Sequence, residues 1–138
     1  MRVRPQTFYL TFNEPDDYLA WLKANDPLGG TPPMTRLEIA VQTVPHDNQY
    51  HIRPIYYYAV ATQRIGDVIG VYDVLLYATD SLDVNLAANE AKRTQQPNRI
   101  WRTVQERFAK EQERWLARGV IVERGKWTHE TPELLRAG

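Results

Sequence analysis

Apolar and polar residues alternate with a period of two in several stretches of the chain, which is typical of strands that bury one face. The clearest of these stretches are residues 6–12, 36–43 and 50–61, and residues 120–123 are also strand-like. Residues 68–77 also suit a strand, although their apolar run is equally compatible with a buried helix. The pattern therefore predicts a sheet built mainly from the first part of the chain.

Three other segments show helical patterns. A helix is predicted directly after Asn13, which can cap it, with Pro15 in its first turn. A short helix is predicted over residues 83–94, capped by Asp83, and a longer one over residues 99–118. The apolar residues of the longer helix form one stripe, which consists of Trp101, Val104, Phe108 and Trp115.

Strands and helices in this order predict a single α+β domain over residues 1–138. We expect an antiparallel sheet of about four to five strands, with an N-terminal helix and two C-terminal helices packed on it. Pro54 cannot donate a hydrogen bond to a neighbouring strand, so its strand is expected at an edge of the sheet or with a bulge.

One face of the predicted sheet is a candidate binding surface. If its strands are neighbours, this face carries Tyr9, Tyr57, Arg36, Arg53, His51 and Gln42. Unstacked bases bind to aromatic rings and guanidinium planes, and each stack contributes about 1–3 kcal/mol. The alternative is that the C-terminal helices cover Tyr9 and Tyr57, which would then form a second core layer.

Charge is sorted along the chain although the net charge is zero. Residues 92–126 hold ten Lys or Arg against four acids and carry +6, whereas residues 1–91 carry −5. On the longer C-terminal helix the side opposite the apolar stripe is basic, through Arg99, Arg107, Lys110, Arg114 and Arg118. A basic surface attracts phosphates or an acidic protein surface, although bases interleaved with acids are equally typical of a solvated helix.

The composition excludes several classes of protein. The chain contains no Cys, so it has no disulfide framework, thiolate metal site or cysteine nucleophile. No apolar run approaches the roughly 20 residues that span a bilayer, and the first residues lack the apolar core of a signal peptide. We therefore expect a cytoplasmic protein that does not enter a membrane.

Two groups of residues have the chemical types of a catalytic or metal site. Glu90 and Lys92, with Asp73 and Asp80 upstream, match those of a magnesium-dependent nuclease. In such a site the acid and the lysine lie on a strand, whereas here they fall in a helical pattern, which favours a solvated helix side. A candidate metal trio consists of His46, Asp47 and His51. Such a trio is usually coincidental, so we expect no catalytic residues, metal or cofactor.

A helix end, a glycine stop at Gly119, an apolar strand and the basic turn Arg124-Gly125-Lys126 follow one another over residues 115–127. This succession resembles the helix-to-wing junction of winged-helix DNA-binding domains. The resemblance covers only this run. The predicted helix over residues 99–118 is long for a recognition helix, and one helix clearly precedes it where the family has two.

These patterns together predict a non-catalytic nucleic-acid-binding protein. In this prediction Arg99, Arg107, Lys110, Arg114 and Arg118 contact phosphates, and the aromatic residues of the sheet contact bases. The alternative is a protein-interaction module, such as an inhibitor, immunity protein or assembly factor, that docks an oppositely charged partner. A metal-dependent nuclease is the third hypothesis. DNA and RNA are not distinguished, and an acidic half beside a basic half could also drive homo-oligomerisation.

Overall fold

The computed structural model describes residues 6–26, 34–45 and 49–124, without the side chains of residues 123 and 124. Within these ranges the protein is an α+β fold with five strands and three helices. The strands are β1 (Phe8–Phe12), β2 (Met34–Thr43), β3 (Pro54–Ile65), β4 (Val68–Asp80) and β5 (Ile121–Arg124). The helices are α1 (Pro15–Asn25), α2 (Ser81–Thr94) and α3 (Arg99–Leu116).

The strands form one sheet in the order β1-β4-β3-β2-β5. β3 pairs antiparallel with both β2 and β4, but β1 is parallel to β4 and β5 is parallel to β2. The sheet is therefore mixed, and the prediction of a purely antiparallel sheet is wrong. The reason is that alternation along a strand reports which residues are buried and does not report the direction of the neighbouring strand.

The long hairpin of β3 and β4 is the centre of the sheet. Residues 68–77 belong to β4, so they are strand and not helix, and a two-residue turn at Gly66 and Asp67 joins the hairpin. Gly66 has φ +62°, a conformation that glycine adopts without strain. Of the two expected alternatives for β3, the edge position is wrong, because β3 is the middle strand, whereas a bulge is present in its pairing with β4. Pro54 is tolerated because it is the first residue of β3, and a bulge lies further on, between Tyr57 and Tyr58.

Two of the predicted helix caps differ in the structure. The N-cap of α1 is Glu14 and not Asn13, and its side chain makes no capping hydrogen bond. The N-cap of α2 is Asp80, whose Oδ1 accepts a 2.8 Å hydrogen bond from the backbone N–H of Asp83. β4 runs into α2 without a loop, so the last residue of the strand also caps the helix. Asn98 caps α3 with its side-chain oxygen.

All three helices pack on the same face of the sheet and cover the main core. α3 buries Val104, Phe108 and Trp115 there, which confirms the predicted apolar stripe, although Trp101 is only partly buried. Burial of this stripe against the strands accounts for the position of α3. None of the helices in the described ranges is long and apolar enough to cross a membrane.

α1 is held by aromatic packing over β1 and β4. The ring of Tyr18 lies 5.7 Å from that of Trp115 and 6.3 Å from that of Tyr72, both edge-on. The indole of Trp21 rests directly on Gly70 of β4, where an added Cβ would lie 2.2 Å from a ring carbon. A side chain at position 70 would clash with this ring, so α1 can approach the sheet this closely only because residue 70 is glycine.

Candidate interaction face

Two arginines at the end of α3 bind carboxylates at the start of α1. Arg114 Nη2 lies 2.7 Å from Glu14 Oε2, and Arg118 Nε lies 2.5 Å from Asp16 Oδ1. The hydrogen bond from Arg118 lowers the pKa of the Asp16 carboxyl below its usual range. The partners of these pairs are 100 and 102 residues apart in the chain. Part of the basic segment therefore neutralises the acidic half of the same molecule.

Arg99 and Arg107 are also engaged within the protein. Arg99 Nη2 lies 2.5 Å from Asp83 Oδ1, and this hydrogen bond lowers the pKa of the Asp83 carboxyl. Arg107 donates a 2.6 Å hydrogen bond to the backbone carbonyl of Leu76, and its guanidinium carbon lies 5.3 Å from the centre of the Tyr77 ring.

Lys110 completes the set of five predicted phosphate contacts. It is the one member with neither an ion pair nor a side-chain hydrogen bond within the described part of the chain. Exposed ion pairs contribute little, roughly 0–1 kcal/mol each, so phosphate could compete for the arginines. A phosphate would, however, have to replace the carboxylates or the backbone carbonyl that these arginines already bind. The structure therefore weakens the electrostatic basis of the predicted helix site.

A buried polar network fastens the middle of α3 to the sheet. Glu111 is only 7% exposed, accepts a short hydrogen bond from the Tyr72 hydroxyl and binds Arg114 Nη1 at 2.9 Å. Burial, and then the bond to Glu111, raise the pKa of the Tyr72 hydroxyl. Glu111 is not among the predicted site residues. The sequence feature that could have revealed Glu111 is its position, because it falls between Phe108 and Trp115 on the apolar stripe of α3. A carboxylate buried there needs hydrogen-bond or ion-pair partners.

The second face of the sheet, here called the open face, is not covered by any helix of the described ranges. Its residues alternate along the strands with those of the main core. They are Tyr9, Thr11, Arg36, Glu38, Ala40, Gln42, Tyr56, Tyr58, Val60, Thr62, Arg64, Ile69, Val71, Asp73 and Leu75.

The structure places only some of the predicted sheet residues on the open face. Tyr9 and Arg36 lie there and are exposed, as expected. Tyr57 does not lie there; as in the alternative prediction it belongs to the helix-covered core, where it is 7% exposed with its ring 6.5 Å from that of Tyr77. The placement of Arg53 is also wrong, because it precedes β3 in a loop. Both faces of β3 carry apolar side chains, so alternation alone cannot assign them.

The centre of the open face is apolar. Val60, Val71 and Ala40 are buried there although no described helix covers them, because Tyr58 and Ile69 flank them on the same face. Tyr56 and Tyr58 follow one another on the central strand with ring centres 6.5 Å apart. Burial raises the pKa of the Tyr58 hydroxyl. This centre is therefore an aromatic and aliphatic strip in the middle of the sheet.

Charged side chains on the open face differ in whether they have a partner. Arg36 Nε lies 3.0 Å from Glu38 Oε1, and Arg64 donates a 3.1 Å hydrogen bond to the carbonyl of Gly66 in its own turn. Asp73 lies opposite Val60 in the β3–β4 register. It has no cation or hydrogen-bond donor among the described residues, and partial burial raises its pKa. Asp73 is thus an unpaired carboxylate in an apolar setting.

The basic and aromatic parts of the predicted nucleic-acid site are not brought together. α3 with Arg107 and Lys110 packs on the helix-covered face, whereas Tyr9 and Arg36 project from the open face. The full thickness of the sheet separates them. Within the described residues the two sets therefore do not form a single continuous surface.

The residues of the alternative catalytic and metal sites are also dispersed. Glu90 and Lys92 are exposed on α2, whereas Asp73 lies on the opposite side of the sheet and Asp80 caps α2. His46 and Asp47 of the candidate metal trio lie outside the described residues. In the ranges that are described, no group of three or more His, Asp or Glu side chains could hold a metal ion.

The resemblance to a winged-helix junction does not extend to the structure. β5 is an edge strand that pairs in parallel with β2, in a register that runs from Met34 opposite Ile121 to Leu37 opposite Arg124. A wing is instead a separate hairpin that projects beside the recognition helix. Gly119 does follow α3 with φ +77°, so the predicted glycine stop is correct. Gly125 and Lys126 lie outside the described residues.

Comparison with known proteins leaves the open face as the principal guide to function. No protein family model, no curated protein and no solved structure matches the chain. The functional assignment therefore depends on the chemistry of the surfaces described above, of which the open face combines an apolar centre with an unpaired charge.

Proposed function

We propose that this protein is a non-catalytic protein-interaction module. In this proposal its open face binds a partner protein through an apolar surface that presents a lysine or arginine to Asp73. The observation that carries the proposal is Asp73 itself, a partly buried carboxylate without a cation among the described residues, set beside Val60 on an otherwise apolar strip.

The unpaired carboxylate determines which partner surface the open face accepts. A purely apolar surface that covered Asp73 would remove water from a charge with no compensating partner, which costs several kcal/mol. A partner with a basic side chain at this point replaces the lost hydration with an ion pair. The open face therefore selects against uncharged or acidic surfaces and in favour of a basic one.

The apolar centre supports binding to a protein surface. Interfaces between proteins commonly have an apolar, aromatic-rich core with a polar rim, and tyrosines are frequent among the residues that dominate the binding energy. On the open face Tyr56, Tyr58 and the exposed Leu75 lie near the buried valines, while Arg36 and Gln42 lie on β2, further from the centre of the sheet. This arrangement is that of an interface core and rim.

The charges of the open face support a protein partner over nucleic acid. Asp73 and Glu38 lie in the same row of the sheet, on either side of Val60. A phosphate chain across this face would approach two carboxylates, and Arg36, on the same strand as Glu38, is already paired with it. Nucleic-acid binding therefore ranks second and is distinguished by the test below.

The proposal is tested with two fluorescent pentapeptides that place their side chains alternately like a strand. The first is acetyl-Leu-Val-Arg-Val-Leu-amide, and the second replaces its arginine with glutamine. A partly buried ion pair with Asp73 is worth about 1 kcal/mol, so the arginine peptide should bind about fivefold more tightly in fluorescence anisotropy. Asp73→Asn should abolish this difference, whereas the matched control Asp17→Asn, on exposed α1 surface, should preserve it.

Equal affinity of the native protein for the two peptides would overturn the proposal. So would a preference for arginine that persists in Asp73→Asn. A labelled single-stranded oligonucleotide provides the competing arm of the same assay. Salt-sensitive binding of the oligonucleotide, together with no preference between the peptides, would establish the nucleic-acid hypothesis in place of this one.

A further inference from the structure

We propose that two copies of this chain associate through their β1 strands, in antiparallel register centred on Leu10, so that their two sheets become continuous. The inference rests on the edge formed by β1 and is independent of the function proposed for the open face. The observations behind it are the free backbone of β1, its exposed apolar side chains, its lack of charge and the symmetry of its sequence.

β1 is an edge strand with one row of backbone groups already bonded. The Phe8 amide donates a 2.8 Å hydrogen bond to the carbonyl of Asp67, so Phe8, and with it Leu10 and Phe12, direct their N–H and C=O groups towards β4. Tyr9 and Thr11 consequently direct both groups away from the sheet. No other described residue pairs with these four donors and acceptors, so in the described part of the chain they are available to a further strand.

The side chains of this edge are apolar and exposed. Phe8 is 56% exposed and Leu10 is 43% exposed on the helix-covered face, and Tyr9 is 45% exposed on the open face. Edge strands are commonly protected from pairing by charges, proline or bulges. Residues 6–13 contain no charged residue and no proline, and β1 pairs with β4 without a bulge. The opposite edge, β5, does contain charged residues, Glu123 and Arg124.

A second copy fits this edge because the sequence of β1 is symmetric about Leu10. In the proposed register Tyr9 of each copy exchanges two hydrogen bonds with Thr11 of the other, and the two Leu10 residues face each other in a non-hydrogen-bonded pair. Phe8 of each copy then meets Phe12 of the other. On the helix-covered face apolar residues therefore lie opposite apolar residues, as a two-fold interface requires, whereas Tyr9 lies opposite Thr11 on the open face.

The dimer also has room for its helices. α1 packs over Phe12 of β1 and Gly70 of β4, and it leaves Phe8 and Leu10 of β1 56% and 43% exposed. The two β4 strands would be three strand spacings apart, about 14 Å, whereas a helix with its side chains is about 10–12 Å wide. Exposed Phe8 would then extend the core, because the Phe12 ring that it meets already contacts Tyr18 and Trp21 at 5.9 Å.

The first test is the mass of the native protein by sedimentation equilibrium over a wide concentration series. We expect the mass to rise from that of one chain, 16.1 kDa, to twice that value. Leu10→Lys and Thr11→Pro should remain monomeric, since they place a charge on the seam and remove an outward N–H. Leu86→Lys changes a leucine on α2 that is 56% exposed, against 43% for Leu10, and should dimerise like the native protein.

Cysteine cross-linking tests the register and is decisive even if Thr11→Pro fails to fold. The chain has no Cys, so Leu10→Cys introduces a single thiol, and at a non-hydrogen-bonded pair the two Cα atoms would lie about 4.5 Å apart, within disulfide range. Oxidation should link Leu10→Cys at least about tenfold faster than Leu86→Cys. A monomeric native protein, a dimer unaffected by Leu10→Lys, or equal cross-linking rates would overturn the proposal.

Discussion

Replacement of Glu111 is expected to destabilise the fold far more than replacement of an exposed glutamate on the same helix. In Glu111→Ala the hydroxyl of fully buried Tyr72 loses its acceptor, which costs about 1–3 kcal/mol. Arg114 loses one partner but keeps Glu14 and is 34% exposed, so its share is below about 1 kcal/mol. The expected total is about 2–3 kcal/mol, a large part of the stability of an ordinary domain.

The mechanism is tested by a double-mutant cycle with Tyr72→Phe. The phenylalanine ring has no hydroxyl to satisfy, so Tyr72→Phe combined with Glu111→Ala should cost about 2 kcal/mol less than the sum of the single changes. Urea denaturation midpoints of the native protein and the three variants measure this coupling. Glu113→Ala, at an exposed position of α3, is the matched control and should change stability by less than about 0.5 kcal/mol. Additive effects, or a Glu111→Ala variant as stable as this control, would refute the assigned role.

Three further changes have definite expected outcomes. Phe108→Ala removes a 2% exposed side chain of the α3 stripe and should cost about 3–5 kcal/mol, which denaturation midpoints will show. Gly70→Ala places a methyl group in the indole of Trp21 and should cost about 1–3 kcal/mol, with a shift of the tryptophan emission. Burial raises the pKa of Asp73 in the folded state, so its ionisation opposes folding only above the unfolded value. Asp73→Asn should therefore melt at a higher temperature than the native protein at neutral pH, and this advantage should disappear in acid.

The elements of the fold could be predicted from the chain because most of them bury a single face. Alternation in β2 identifies a half-buried strand, and the spacing of Val104, Phe108 and Trp115 identifies the buried side of α3. These periodicities depend only on local geometry. The α+β class follows from the order of the elements, since a sheet and amphipathic helices must cover each other.

The direction and orientation of the strands could not be predicted in the same way. β3 carries apolar residues on both faces, so its pattern does not reveal that Tyr57 lies in the core and Tyr58 on the open face. β1 pairs with β4, which lies about 60 positions later in the sequence. The route of the chain between these two strands decides this pairing, and no local sequence pattern indicates it.

The partners of the arginines were equally inaccessible to sequence reasoning. The sorting of charge along the chain indicates that the basic segment attracts acidic groups. It does not show whether those groups belong to another molecule or to the acidic half of the same chain. Arg114 and Arg118 find it in Glu14 and Asp16, which become neighbours only when α1 and α3 pack on the same face. Asp73 illustrates the opposite case, because an acid in a strand is conspicuous only when the structure shows that nothing described compensates its charge.

The central claim is that the open face, and not the basic side of α3, is the surface on which this protein binds. The most direct measurement is a titration of the ¹⁵N-labelled protein with the arginine pentapeptide, followed by two-dimensional NMR. The proposal predicts that the amide signals of Tyr58, Asp73 and Leu75 move in the native protein, and that in Asp73→Asn the signals of Tyr58 and Leu75 need about fivefold more peptide to move equally far. Movement of the signals of α3 around Arg107 and Lys110, with those of β3 and β4 unchanged, would contradict it.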